Sequence, residues 1–177
     1  MSATPASSAI AGLTRRQCVV AGLGALVAAP AVAQQAAALG AVVEWPALQL
    51  IDGSMLEPAA WRDRAAVVVF WATWCPFCKR HNAHLDKLYR SLADKPLRVL
   101  GIAIDTNVQA VRSYMASNGY RFPVALDSAG MRARLGLRSV IPMTCVFDRE
   151  RRLVQALPGE MFEEDVIELG MRAAQRG

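Results

Sequence analysis

Two cysteines separated by two residues, Cys75-Pro76-Phe77-Cys78, carry the chemistry that is easiest to name in this sequence. Thiols at this spacing can close a small disulfide and open it again, and the thiolate is the reactive form. The apolar run Ala65-Ala66-Val67-Val68-Val69-Phe70 before them reads as a buried strand, and a helical pattern begins at Lys79. The first thiol therefore falls at a helix N-terminus, where unpaired N–H groups and the helix dipole favour negative charge. The second falls one turn later. A strand, a C-x-x-C and a helix, in that order, point to a redox device rather than a structural bridge. Cys145 lies in the strand-like run Met143-Thr144-Cys145-Val146-Phe147 and reads as a small buried hydrophobe.

The elements that must position this pair alternate along the chain. Leu48–Ile51 and Ser54–Leu56 flank Asp52-Gly53, a hairpin signal. A strand is expected over 66–72 and a helix from Pro76 to Leu92, with the proline in the first turn where its missing N–H costs nothing. A second buried strand covers Leu97–Ile104, and a helix covers Asn107–Ser117 with Asn118-Gly119 as its stop. A short strand at Val124–Leu126 and a short helix at Ala129–Leu135 come next. Strands at Met143–Phe147 and Leu153–Leu157 flank Asp148-Arg149-Glu150-Arg151. The last helix runs from Glu163 to Ala173, with acidic residues at its N-terminal dipole. Apolar strands with intervening helices predict an α/β fold whose sheet is covered on both faces.

The start of the chain has its own logic. Residues 1–33 hold no acidic side chain, carry Arg15 and Arg16, and continue into an apolar Gly/Ala-rich run that ends in Ala31-Val32-Ala33. That run is about 15 residues, short of the roughly 20 that a spanning helix needs. The pattern is that of an export signal cleaved before Gln34, and Arg15-Arg16 resembles the twin-arginine type. An uncleaved membrane anchor is the alternative, and Cys18 would leave with the signal. The remainder divides into a flexible lead-in, residues 34–46, and one domain, residues 47–177. The formal charge of +5 loses Arg15 and Arg16 with the signal. The other basic residues are scattered and lack aromatic interleaving, so a nucleic-acid partner is not indicated.

The run Phe70-Trp71-Ala72-Thr73-Trp74-Cys75-x-x-Cys78, together with Val140-Ile141-Pro142-Met143-Thr144, resembles the thioredoxin superfamily, in particular its exported TlpA/ResA-like branch. The resemblance covers Leu48 to Leu169. It implies a thioredoxin fold: a central mixed sheet flanked by helices, an N-terminal β-hairpin, and a strand–helix insertion that residues 105–127 fit. It implies a cis bond before Pro142, facing the disulfide and leaving the backbone of Ile141 open to an extended substrate. The implied activity is thiol–disulfide exchange with protein substrates, with Cys75 as the exposed nucleophile and Cys78 as the buried resolving thiol. Trp74, Pro76 and Phe77 would form the docking surface with Ile141 and Pro142, while Trp71 is expected in the core. No organic cofactor or metal is implied. The partners are proteins bearing thiols or disulfides and a membrane or periplasmic redox protein.

Departures from the family pattern matter too. Val69 stands where thioredoxins keep a buried aspartate, and His81 and Ala83 replace a glutamate and a proline of many ResA-like proteins. His81, three residues after Cys78 on the same helix face, is the candidate for proton handling, and a half-exposed helix histidine is the alternative. His84 receives no role, and Lys79 is taken as a solvated helix lysine with at most modest support for the thiolate. C-P-F-C lacks a polar dipeptide, which leans the reading towards a reductant of the cytochrome c or copper-site maturation type, with a disulfide-forming oxidant as the alternative. A Cu(I) chaperone, with Met143 near the thiols, is a further alternative. A peroxidase is set aside because Thr73 precedes Cys75 by two positions rather than three.

Overall fold

The computed structural model describes residues 39–92, 95–137 and 139–175. The expected export signal, with Arg15, Arg16 and Cys18, lies outside the described residues.

The first elements are a two-stranded ribbon, β1 (Leu48–Gln49) and β2 (Met55–Leu56), closed around Asp52-Gly53. Asp52 Oδ1 accepts from both the backbone and the hydroxyl of Ser54, the local bond that makes aspartate a turn former. A 3₁₀ turn, Pro58–Trp61, follows; no periodicity announces it. The main sheet then forms from β3 (Ala65–Trp71), β4 (Leu97–Ala103), β5 (Val124–Leu126), β6 (Met143–Phe147) and β7 (Leu153–Pro158), in the spatial order β5-β4-β3-β6-β7. β3, β4 and β5 are parallel neighbours, and β6 and β7 add on antiparallel, so the sheet is mixed.

All seven residues of β3 are buried, as expected of a central strand covered on both faces. Its side chains alternate between two apolar clusters. Val67, Val69 and Trp71 face one that includes Leu85 and Leu88 of α1 (Pro76–Arg90), Val111 of α2 (Val108–Asn118) and Val166 of α4 (Glu163–Gln175). Ala66, Val68 and Phe70 face the other, with Trp45, Trp61 and Met131 of α3 (Met131–Arg134). The insertion expected at 105–127 is α2 plus β5, at the parallel edge of the sheet. Asn107 caps α2 by accepting from Gln109 and Ala110 N–H, and Gly119 ends it in the left-handed region.

One expectation is corrected. The flexible lead-in expected over residues 34–46 is, in the part described from Gly40, docked on the fold. Gly40 N–H donates to Leu153 O, Val43 N–H to Arg151 O, and Leu153 N–H to Ala41 O. Trp45 is buried, stacked 4.1 Å from Trp61 and edge-on to Phe147. An Ala-rich stretch hides this because its buried anchors are only Val43 and Trp45, too few to show a period.

Candidate functional site

Cys75 ends the loop after β3 and is the N-cap of α1, with Pro76 at the first helical position. Its Sγ accepts a hydrogen bond from Cys78 N–H at 3.2 Å, so one of the orphan donors of the helix start is spent on this sulfur. The two sulfurs are at disulfide distance, with Cα atoms 5.2 Å apart. Their exposures are ordered as expected, but both are low. Cys78 is fully buried, and Cys75 keeps only 5% of its surface, so the exposed nucleophile read from the sequence is a shielded one.

The loop ahead of the pair is tied to the end of β4. Thr73 donates to Asp105 twice, from its hydroxyl (2.6 Å) and from its N–H (3.0 Å). Sequence reasoning missed Asp105, although an acidic residue closing an apolar strand beside the motif was a usable signal. Across the site, the Ile141–Pro142 bond is cis, and the Ile141 carbonyl oxygen lies 3.9 Å from Cys75 Sγ. Pro142 is buried and Ile141 half-exposed, so an approaching chain meets Ile141 and not the proline ring. Trp74 (68% exposed), Phe77 (55%) and Val140 (44%) form an apolar rim, with Pro76 also exposed. Arg80 lies over the Phe77 ring at 5.3 Å and pairs bidentately with Glu160, so the charge beside the rim is matched. Lys79 is exposed. Trp71 is fully buried in the core.

His81 departs from both alternatives offered for it. It is fully buried rather than half-exposed. Its Nδ1 accepts from Met161 N–H at 3.2 Å, and because a backbone N–H can only donate, the neutral ring carries its proton on Nε2. Nε2–H then donates to Thr144 Oγ1 at 3.0 Å. Burial, aided by the nearby His84 and opposed by Glu160, lowers the His81 pKa to about 4. The ring's one lone pair is already taken, so His81 braces α1 against β6 and the segment before α4 and offers no free base to the thiols. His84, given no role, holds the same segment: its Nδ1 is 3.1 Å from Met161 O.

Cys145 is buried, with burial pushing its thiol up to about 12. Both it and Met143 face the cluster on the opposite side of the sheet from Cys75 and Cys78. Alternation along β6 thereby overturns the placement of Met143 near the thiols on which the copper reading drew. Among the described residues, no group of three or more His, Cys, Asp or Glu side chains could hold a metal ion, and no helix is long and apolar enough to cross a membrane.

Residues 28–168 match the Redoxin family. The chain is 23% identical over 118 residues to thiol-disulfide oxidoreductase ResA of Bacillus thuringiensis subsp. konkukian, covering 67% of this chain and 68% of that protein. It is 25% identical to ResA of Bacillus subtilis over 116 residues, 66% and 65% of the two chains. Among solved structures, StoA from Bacillus subtilis superposes with a TM-score of 0.63 at 20% identity, over 72% of this chain and 98% of that one. A protein from Bacteroides thetaiotaomicron described as a putative protein disulfide isomerase gives 0.70 at 22%, over 80% and 92%. These structures share the thioredoxin fold with the chain.

Proposed function

The chain belongs to the Redoxin family, and from that premise we propose that it is an exported thiol–disulfide oxidoreductase of the ResA/TlpA-like kind, acting on protein thiols and disulfides. The observation that carries this reading is the Cys75–Cys78 pair, held at the start of α1 and facing the Ile141 carbonyl.

In the reducing direction, Cys75 Sγ attacks a substrate disulfide. One substrate sulfur leaves as a thiolate, and the other stays bound to Cys75. Cys78 Sγ then attacks Cys75 Sγ, closing the internal disulfide and releasing the second substrate thiol. The Cys78 N–H that points at Cys75 Sγ stabilises the thiolate before the attack. Trp74, Pro76 and Phe77 form one side of the docking surface and Ile141 the other, with Pro142 supporting Ile141 from within. An apolar rim with a matched charge pair beside it suits substrate segments with apolar residues next to their cysteines.

The C-P-F-C dipeptide favours a reductant of the cytochrome c or copper-site maturation type, recharged by a membrane or periplasmic redox partner. The equilibrium potential of the pair in thiol redox buffers tests this. A value of about −270 mV supports the reductant, and one of about −120 mV makes the protein a disulfide-forming oxidant. Absence of any Cys75–Cys78 couple would overturn exchange altogether.

The export signal proposed for residues 1–33, of twin-arginine type, would put this chemistry in the periplasm. N-terminal sequencing of the secreted form should begin at Gln34. An intact start retained in the cytoplasm would contradict export, and one held at the membrane would replace cleavage by an anchor.

A further inference from the structure

We propose that Trp71, Asn82 and Tyr114 hold a water molecule beside Cys78 and that this hydrated pocket carries the proton of the resolving thiol. The inference rests on the exchange reading above.

Three side chains from three elements bring buried polar atoms together on the cysteine side of the sheet. Trp71 Nε1, both ends of the Asn82 amide and the Tyr114 hydroxyl have no hydrogen-bond partner in the protein. Trp71 and Asn82 are fully buried. The Trp71 and Tyr114 rings are 5.1 Å apart, and the indole N–H edge lies over Gly101 of β4, where an added Cβ would come within 2.7 Å of Nε1. Asn82 is close enough to the Tyr114 hydroxyl to lower its pKa, yet no bond of good geometry joins them. Each of these atoms, left dry, would carry the full desolvation penalty of an unpaired polar group. Near approach without contact, with donors and acceptors both present, is the setting that one bridging water satisfies.

Asn82 stands one helical turn after Cys78 on the same face of α1, and Cys78 and Trp71 share one apolar cluster. These polar groups therefore lie on the side of the sheet that holds the thiol that must lose a proton. The groups that could receive that proton are absent or already engaged: Val69 faces this side of β3, His81 has both ring nitrogens occupied, Asp105 accepts twice from Thr73, and Asp86 accepts from Arg90 and from Arg121 N–H. The titratable groups around the pocket are Cys75 and His81 on α1, Tyr114 on α2, Tyr120 beyond it, and Asp105 after β4. Burial, with Tyr120 and Asp105 adding to it, pushes Tyr114 up to about 12, so its hydroxyl stays neutral and can both give and accept a proton.

The step balances. Cys78 S–H gives its proton to the pocket water, and a proton leaves past half-buried Tyr114 to solvent. The freed electron pair on Cys78 Sγ attacks Cys75 Sγ, the bond from Cys75 to the substrate sulfur breaks, and the departing thiolate takes a proton from solvent. The oxidising direction runs the same path backwards.

The test is titration of Cys78 by thiolate absorbance in the full chain carrying Cys75→Ser, below pH 10. Cys18 is replaced by serine in the same background, and Cys145 stays silent there because burial pushes its thiol up to about 12. Adding Tyr114→Phe or Asn82→Leu should raise the Cys78 midpoint by about one pH unit, a tenfold loss of thiolate at fixed pH. Superimposable curves would overturn the pocket. If Asn82→Leu does not fold, Tyr114→Phe decides alone, since it removes one oxygen from a half-buried ring. In the unaltered protein, loss of the Cys75–Cys78 couple would sink the exchange reading. An intact couple with superimposable titrations would sink only the pocket.

Discussion

At the scale of the residue, the two cysteines differ in what surrounds them. Cys75 has a backbone N–H aimed at its sulfur and a little open surface, whereas Cys78 has neither. Cys75→Ser should abolish exchange, and Cys78→Ser should trap substrates as mixed disulfides on Cys75, visible as reducible adducts on non-reducing gels. His81 supplies a second prediction. Its pKa is about 4 in the fold, against 6.5 for a free histidine, so between these values the unfolded chain takes up a proton that the folded one refuses. The folded state is therefore undiminished above pH 6.5 and loses stability as pH falls towards 4, by about 3 kcal/mol in all. Denaturant unfolding from pH 7 to pH 4 should show this acid sensitivity, and it should be weaker in His81→Gln. Equal slopes in the two proteins would refute it.

At the scale of the element, the strands fix where the loops can go. Thr73 hangs from Asp105 at the end of β4, so the loop carrying the motif is registered by the parallel neighbour of its own strand. Asp105→Ala leaves the Thr73 N–H and hydroxyl without an acceptor. A stability loss of about 1–2 kcal/mol is expected, with slower exchange and a Cys75–Cys78 couple that still forms. Gly101 has a different reason to exist. A methyl there would come within 2.7 Å of both Trp71 Nε1 and Phe122 Cε2, and neither ring has a rotamer change available in a packed core. Gly101→Ala should lower stability by about 1–3 kcal/mol in thermal or denaturant melts, where an unchanged midpoint would contradict the packing argument.

At the scale of the whole molecule, the sheet separates two cores that do different work. The face bearing α1, α2 and α4 holds the cysteine pair, and the other holds Trp45, Trp61, Phe147 and the silent Cys145. Trp45→Ala removes a buried indole from the second face. It should cost about 3–5 kcal/mol while leaving the reduction potential of the pair unchanged. Denaturant unfolding and redox equilibration together check both halves of that expectation; a shifted potential would show that the faces are not independent.

Sequence alone determined what depends on local order. The buried strand before the motif, the helix started by Pro76 and the stop at Gly119 each follow from a few consecutive residues, and the structure has them in place. The run Met143–Phe147 was legible as a buried strand, but not which of its side chains faced the disulfide. Only the tertiary structure decided what depends on distant meetings. Asp105 reaching Thr73, Met161 filling the lone pair of His81, and the Trp71 ring meeting that of Tyr114 join residues that no periodicity links. A side chain's type and position along a helix set which way it points. Whether it meets a base, a backbone N–H or a hollow is fixed by the element packed against it, and that packing is a property of the whole chain.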